Sequence, residues 1–121
     1  MPEIQNQKKY DLEERTFAFA KDVRAFVNSL PKTLANIEDI SQVVRSSGSI
    51  GANYIEANES LGKKDFIFRI KISRKESKET KYWLQLLDVG SNATLEAKRE
   101  KLVQEAIELM MIFSSIMRKA E

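Results

Sequence analysis

The sequence predicts an all-α fold, an antiparallel up-down-up-down four-helix bundle. Three observations lead there. Apolar residues recur at three- and four-residue spacings through four long segments, each closed by turn-forming residues. The breaks between segments are short, which makes sequential helices antiparallel neighbours. Only four glycines and two prolines occur among 121 residues, too few for the many turns of a β protein. The length suits one domain with one core. Residues 1–10 read as a polar N-terminal tail and residues 11–121 as a single bundle domain.

The first helix is expected from Asp11 to Leu30, with Leu12, Phe19, Val23, Phe26, Val27 and Leu30 on one stripe. Asp11 is a candidate N-cap, and Glu13 and Glu14 complement the positive end of the helix dipole. Pro31 stops the segment. The second helix is expected from Glu38 to Ser60, through Ile40, Val43, Val44, Ser47, Ile50, Gly51, Tyr54 and Asn58. Its middle holds Gly48 and Gly51, each costing about 1 kcal/mol relative to alanine inside a helix. A loop between two short helices is the alternative. The stripe keeps its phase through the glycines, which favours a continuous helix whose small residues admit a close neighbour. Gly62 is read as the residue just past its C-terminus.

The third helix is expected from Lys64 to Val89 and the fourth from Asn92 to Lys119, with Gly90-Ser91-Asn92 between them. Ser91, Asn92 or Thr94 caps the last helix, and Leu95, Leu102, Ala106, Leu109, Phe113 and Ile116 form its buried seam.

At 100° per residue the third helix has three faces. Phe66, Ile70, Ser73, Ser77, Thr80, Leu84 and Leu87 form the core face, apolar at its ends and small in its middle. Lys64, Lys71, Arg74, Lys75, Lys78 and Lys81 form a basic strip, the candidate nucleic-acid-binding surface. Phe68, Ile72, Trp83 and Leu86 form a second apolar stripe, interrupted by Glu76 and Glu79. A monomeric bundle helix needs one stripe, so the second is read as an oligomer interface. The plainer reading has Trp83 covering the edge of its own bundle.

The net charge of +2 hides an asymmetry. Residues 63–81 hold eight Lys or Arg against Asp65, Glu76 and Glu79, a local +5 on a body of −3. Such a strip fits a phosphate-rich partner, RNA or DNA. It also fits a solvated face laced with pairs such as Lys75–Glu79. No cluster of exposed aromatics is evident to stack bases, so the partner is expected to be recognised through its phosphates.

Chemistry is largely excluded. The chain has no cysteine and no histidine, so thiol and imidazole catalysis, zinc clusters and Glu-x-x-His di-metal sites have no residues to use. Gly62-Lys63 lacks the earlier glycine and following hydroxyl of a phosphate-binding loop. Gly48-Ser49-Ile50-Gly51 lacks the spacing of a nucleophile elbow. Glu56, Glu76 and Glu79 could act as acid and base, but ion pairing with Arg45, Lys75 or Arg69 is the simpler role. No enzyme, cofactor or metal is expected. No segment has the apolar length of a signal peptide or membrane span, so a cytoplasmic protein is expected.

The run from Gln42 to Ala57, with Arg45, the Ser49-Ile50 pair, Asn53 and Glu56, resembles the second-helix signature of proteins encoded by intervening sequences in bacterial 23S rRNA genes. Lys64-Asp65-Phe66 and the run from Ser73 to Leu84, with Lys75, Glu76, Glu79, Thr80 and Trp83, resemble that family's third-helix signature. Ala57 departs from the glycine common there. The resemblance implies an antiparallel four-helix bundle assembled as a homopentameric ring. It also implies kinship with the nucleic-acid-binding accessory subunit of diversity-generating retroelements, which partners a reverse transcriptase. Arg45, Ser49, Asn53, Glu56, Glu76 and Glu79 are then expected to form an interhelical polar network. Two functions follow: an oligomeric nucleic-acid-binding module, or a scaffold whose ring binds a partner protein.

Overall fold

The computed structural model describes residues 2–121, with side chains from Leu12 onward. Four helices account for it: α1 (Pro2–Val27), α2 (Leu34–Asn58), α3 (Lys63–Leu86) and α4 (Ala93–Ala120). No strand occurs among the described residues. Each helix packs on its neighbour in sequence, and α1 closes lightly on α4. No described helix is long and apolar enough to cross a membrane.

Local chemistry sets the helix ends. Thr33 caps α2, its hydroxyl accepting the Asn36 N–H at 3.1 Å. Of the three candidates for α4, Asn92 is the cap, its side chain accepting the Leu95 N–H at 3.1 Å. Two expected caps are corrected. Asp11 lies within α1, which begins at Pro2. Gly62 is the extended residue that opens α3, not the left-handed residue that closes α2; at the end of α2 the Glu59 N–H donates to the Glu56 carbonyl at 3.2 Å and the Ser60 N–H to the Ala57 carbonyl at 3.1 Å. Helix α3 ends at Leu86, yet Leu87 and Val89 stay buried in the following turn, where Gly90 and Ser91 both take positive φ.

Helix α2 is continuous through its glycines. They face α1: a Cβ on Gly51 would lie 2.8 Å from the Thr16 hydroxyl, so only hydrogen fits there. The small residues of α3 instead meet the backbone and a serine of α2. Ser73 donates to the Ile50 carbonyl at 2.9 Å, and the Thr80 and Ser46 hydroxyls lie 2.8 Å apart. Between these polar seams sits the core. Phe19, Val23 and Phe26 of α1 meet Val43, Ile50 and Tyr54 of α2, Ile70 and Leu84 of α3, and Leu102, Leu109 and Phe113 of α4. The Tyr54 and Phe113 rings tilt together at 5.7 Å, and burial pushes the Tyr54 hydroxyl pKa up. No buried side-chain nitrogen or oxygen among the described residues lacks a partner. The interior therefore carries polar groups without the penalty of orphaning them.

Candidate nucleic-acid interface

Helix α3 presents the basic strip because its opposite face is anchored. Ile70, Ser73, Ser77, Thr80 and Leu84 are fully buried, and short side chains let α3 lie close against α2. Each buried hydroxyl finds a carbonyl, Ser77 on Ser73 at 2.8 Å and Thr80 on Glu76 at 2.7 Å. Lysine and arginine, good helix formers, then populate the outer surface at little cost.

All six strip residues reach the surface of α3. Lys64, Lys71, Lys75 and Lys78 are exposed, while Arg74 and Lys81 are half-buried along their stems. None of the six forms an ion pair among the described residues. The expected Lys75–Glu79 pair is replaced, since Glu79 turns to Arg45 of α2 at 3.8 Å. Lys75 and Lys78 form a ridge between two shallow grooves. One is lined with Arg74 by Met110 and Ser114 of α4. The other holds Glu79, Tyr82 and Trp83. Like charges gathered in a groove over a low-dielectric wall concentrate the field that attracts an anion.

The residues expected to form one polar network divide into two interhelical clusters, Arg45 with Glu76 and Glu79, and Ser49 with Asn53 and Arg69, while Glu56 stands apart. Arg45 reaches Glu76 at 3.3 and 3.4 Å, and Glu76 is only 6% exposed. The carboxylate expected to interrupt an outer stripe is thus buried, because Arg45 supplies its counter-charge. Asn53 donates to the Ser49 carbonyl and hydroxyl at 2.9 and 3.0 Å. Its oxygen accepts from Arg69 at 3.0 Å, so Arg69 joins the set. Glu56 is exposed, and its side chain makes no hydrogen bond among the described residues. Arg69, one turn below Ser73, was identifiable from the sequence only as one of several cations near the carboxylates.

The expected oligomer stripe is split by the fold. Phe68 is 56% exposed and Leu86 is exposed too, whereas Ile72 is half-buried and Trp83 packs against the core of its own chain. Trp83 therefore covers the edge of its own helices. Exposed apolar residues also occur elsewhere. Phe17 and Ile55 flank a groove between α1 and α2 floored by Gly48, Gly51 and Ala52.

One residue of the strip escaped sequence reasoning. Tyr82 is 57% exposed and its ring meets Trp83 edge-on at 5.1 Å. Its signal was available: at 100° per residue it falls in line with Lys75 and Lys78.

The model of the 23S rRNA-intervening sequence protein family matches residues 8–115. The crystal structure of a protein with unknown function from the S23 ribosomal protein family of Bacteroides thetaiotaomicron superposes with a TM-score of 0.75. The two chains are 29% identical, over 92% of this chain and 98% of that one. No curated protein matches the chain.

Proposed function

The chain belongs to the 23S rRNA-intervening sequence protein family, and from that premise we propose that it is a non-enzymatic, homo-oligomeric protein whose α3 strip binds nucleic acid. The observation that carries the reading is the strip itself. Six cations lie on one helix face with no ion-pair partner among the described residues, beside grooves that a phosphate backbone can follow. Structured RNA, or an RNA–protein complex in the cytoplasm, is the proposed target.

The helices of each subunit are read as antiparallel, up-down-up-down. This is supported by the order of contacts between α2 and α3: Arg45, Ser46, Ile50 and Asn53 ascend while Glu76, Thr80, Ser73 and Arg69 broadly descend. Subunits are proposed to close into the pentameric ring of the family, with exposed Phe68 and Leu86 supplying apolar contact. A ring multiplies the strip, and affinity for phosphates rises with the number neutralised.

The test is binding of structured RNA and duplex DNA across a salt series, with oligomer mass measured in the same buffer. The reading expects log affinity to fall linearly with log salt, with a slope of several phosphates. Reversing charge at Lys71, Arg74 and Lys78 should abolish binding while helix content and mass stay unchanged. Binding that survives the triple reversal removes the strip as the site. The second reading, a protein-interaction scaffold, is favoured by the apolar groove between Phe17 and Ile55. It is the one left if no nucleic acid binds at low salt.

A further inference from the structure

Tyr82 sits among the cations of the strip with more than half of its surface open. Lys75 and Lys78 precede it by two turns and one turn on the same helix face, and all three line one groove. The phenol makes no hydrogen bond among the described residues, so its oxygen does not tie the ring to another part of the chain. Trp83, itself packed on the core, meets the Tyr82 ring edge-on at 5.1 Å and braces one side of it. A ring already braced edge-on by a second ring has less freedom left to lose when a ligand settles on its open face.

A phosphate backbone alone has no use for such a ring. In a duplex the base faces are occupied by their neighbours, and only edges and backbone reach a protein surface. A single strand offers free base faces between phosphates, and proteins that hold one combine a basic groove with exposed aromatic rings. From this juxtaposition we propose that Tyr82 stacks an unpaired base of a single-stranded nucleic acid whose flanking phosphates lie on Lys75 and Lys78. The inference rests on the nucleic-acid reading above and narrows it: the preferred target is a loop or unpaired strand, not a continuous duplex.

The experiment compares an oligouridine single strand with a duplex RNA carrying the same number of phosphates. Binding is measured for the unmodified protein, Tyr82→Ala and Tyr82→Phe, alongside the emission of Trp83, the single tryptophan of the chain. The single strand should bind more tightly than the duplex and should quench Trp83. Tyr82→Ala should weaken the single strand by about tenfold, a typical loss for one stacking ring, and leave the duplex unchanged. Tyr82→Phe keeps the ring and should keep the affinity. Equal affinity for both nucleic acids, or an unaltered single-strand affinity in Tyr82→Ala, overturns the stacking role while leaving phosphate binding intact. Absence of binding to both the single strand and the duplex overturns both readings together.

Discussion

The Asn36 side chain and the Asp88 backbone exchange two hydrogen bonds across 52 residues of chain. The Asn36 amide donates to the Asp88 carbonyl at 2.9 Å, and its oxygen accepts the Asp88 N–H at 2.9 Å. A third bond runs from the same amide to the Pro31 carbonyl at 2.9 Å. One side chain, 1% exposed, thus ties the turn before α2 to the turn after α3.

Asn36→Ala should therefore be severely destabilising. It removes the partner of one N–H and two carbonyls in part-buried turns, at about 1–3 kcal/mol for each group that water does not reach. Asn36→Asp, which keeps the acceptor but removes both donated bonds, should be nearly as costly. Urea midpoints of the two variants check this, and a loss below about 1 kcal/mol for Asn36→Ala would show that water replaces the clasp.

The two glycines of α2 should respond to alanine in opposite directions. At Gly51 the new Cβ would sit 2.8 Å from the Thr16 hydroxyl, which is held by the Leu12 and Glu13 carbonyls at 2.9 and 3.0 Å. Gly51→Ala should push α1 from α2 and destabilise by about 1–3 kcal/mol, as overpacking does. At Gly48 the nearest atom is the end of Arg24 at 3.3 Å, which can swing aside. Gly48→Ala should then gain up to about 1 kcal/mol of helix propensity. Thermal unfolding of both variants decides it, and Thr16→Ala should relieve the Gly51→Ala loss.

Arg45 keeps a buried carboxylate acceptable. Its removal in Arg45→Ala leaves Glu76 without its counter-charge and should cost about 1–3 kcal/mol. Adding Glu76→Leu to that variant should recover most of the loss, because the uncompensated charge is gone. A double-mutant cycle in urea reads the coupling. Strictly additive losses would mean that solvent, not Arg45, satisfies Glu76.

Acid should loosen α1 from α4. Arg15 reaches Glu105 at 2.6 Å and Glu108 at 2.8 Å across the most lightly packed helix pair. The Gln104 amide, then Arg15, holds the Glu108 carboxyl below its usual range, and the carboxylates raise the Arg15 pKa further. A lowered carboxyl pKa stabilises the fold above the unfolded value and loses that contribution as pH falls through the folded one. Unfolding midpoints should decline through that acidic window, and Glu108→Gln should show a shallower decline. An identical acid profile in the variant would assign the decline to other carboxylates.

Most of the fold was legible in the residues. Spacing of Phe19, Val23 and Phe26, or of Leu102, Leu109 and Phe113, reports a helix face because a helix repeats every 3.6 residues. The basic strip was legible for the same reason, since six cations at helical spacing must share a side. Helix ends were less so. Gly62 suits both the end of one helix and the start of the next, and only the backbone angles decide.

What the sequence determined by itself was therefore periodic: four helices, one core stripe on each, one basic strip, and no thiol or imidazole. The tertiary structure decided everything that depends on what lies opposite. Periodicity puts Glu76 beside Trp83 on an outer stripe, but Arg45 arriving from α2 makes Glu76 a buried residue. It cannot say that Gly51 faces Thr16 of α1 while Ser46 faces Thr80 of α3. Nor can it say that Trp83 turns inward and leaves Tyr82 open among the lysines. A helix angle is a local quantity set by the backbone, whereas burial is set by the neighbouring helix, and that neighbour is chosen only when all four helices pack.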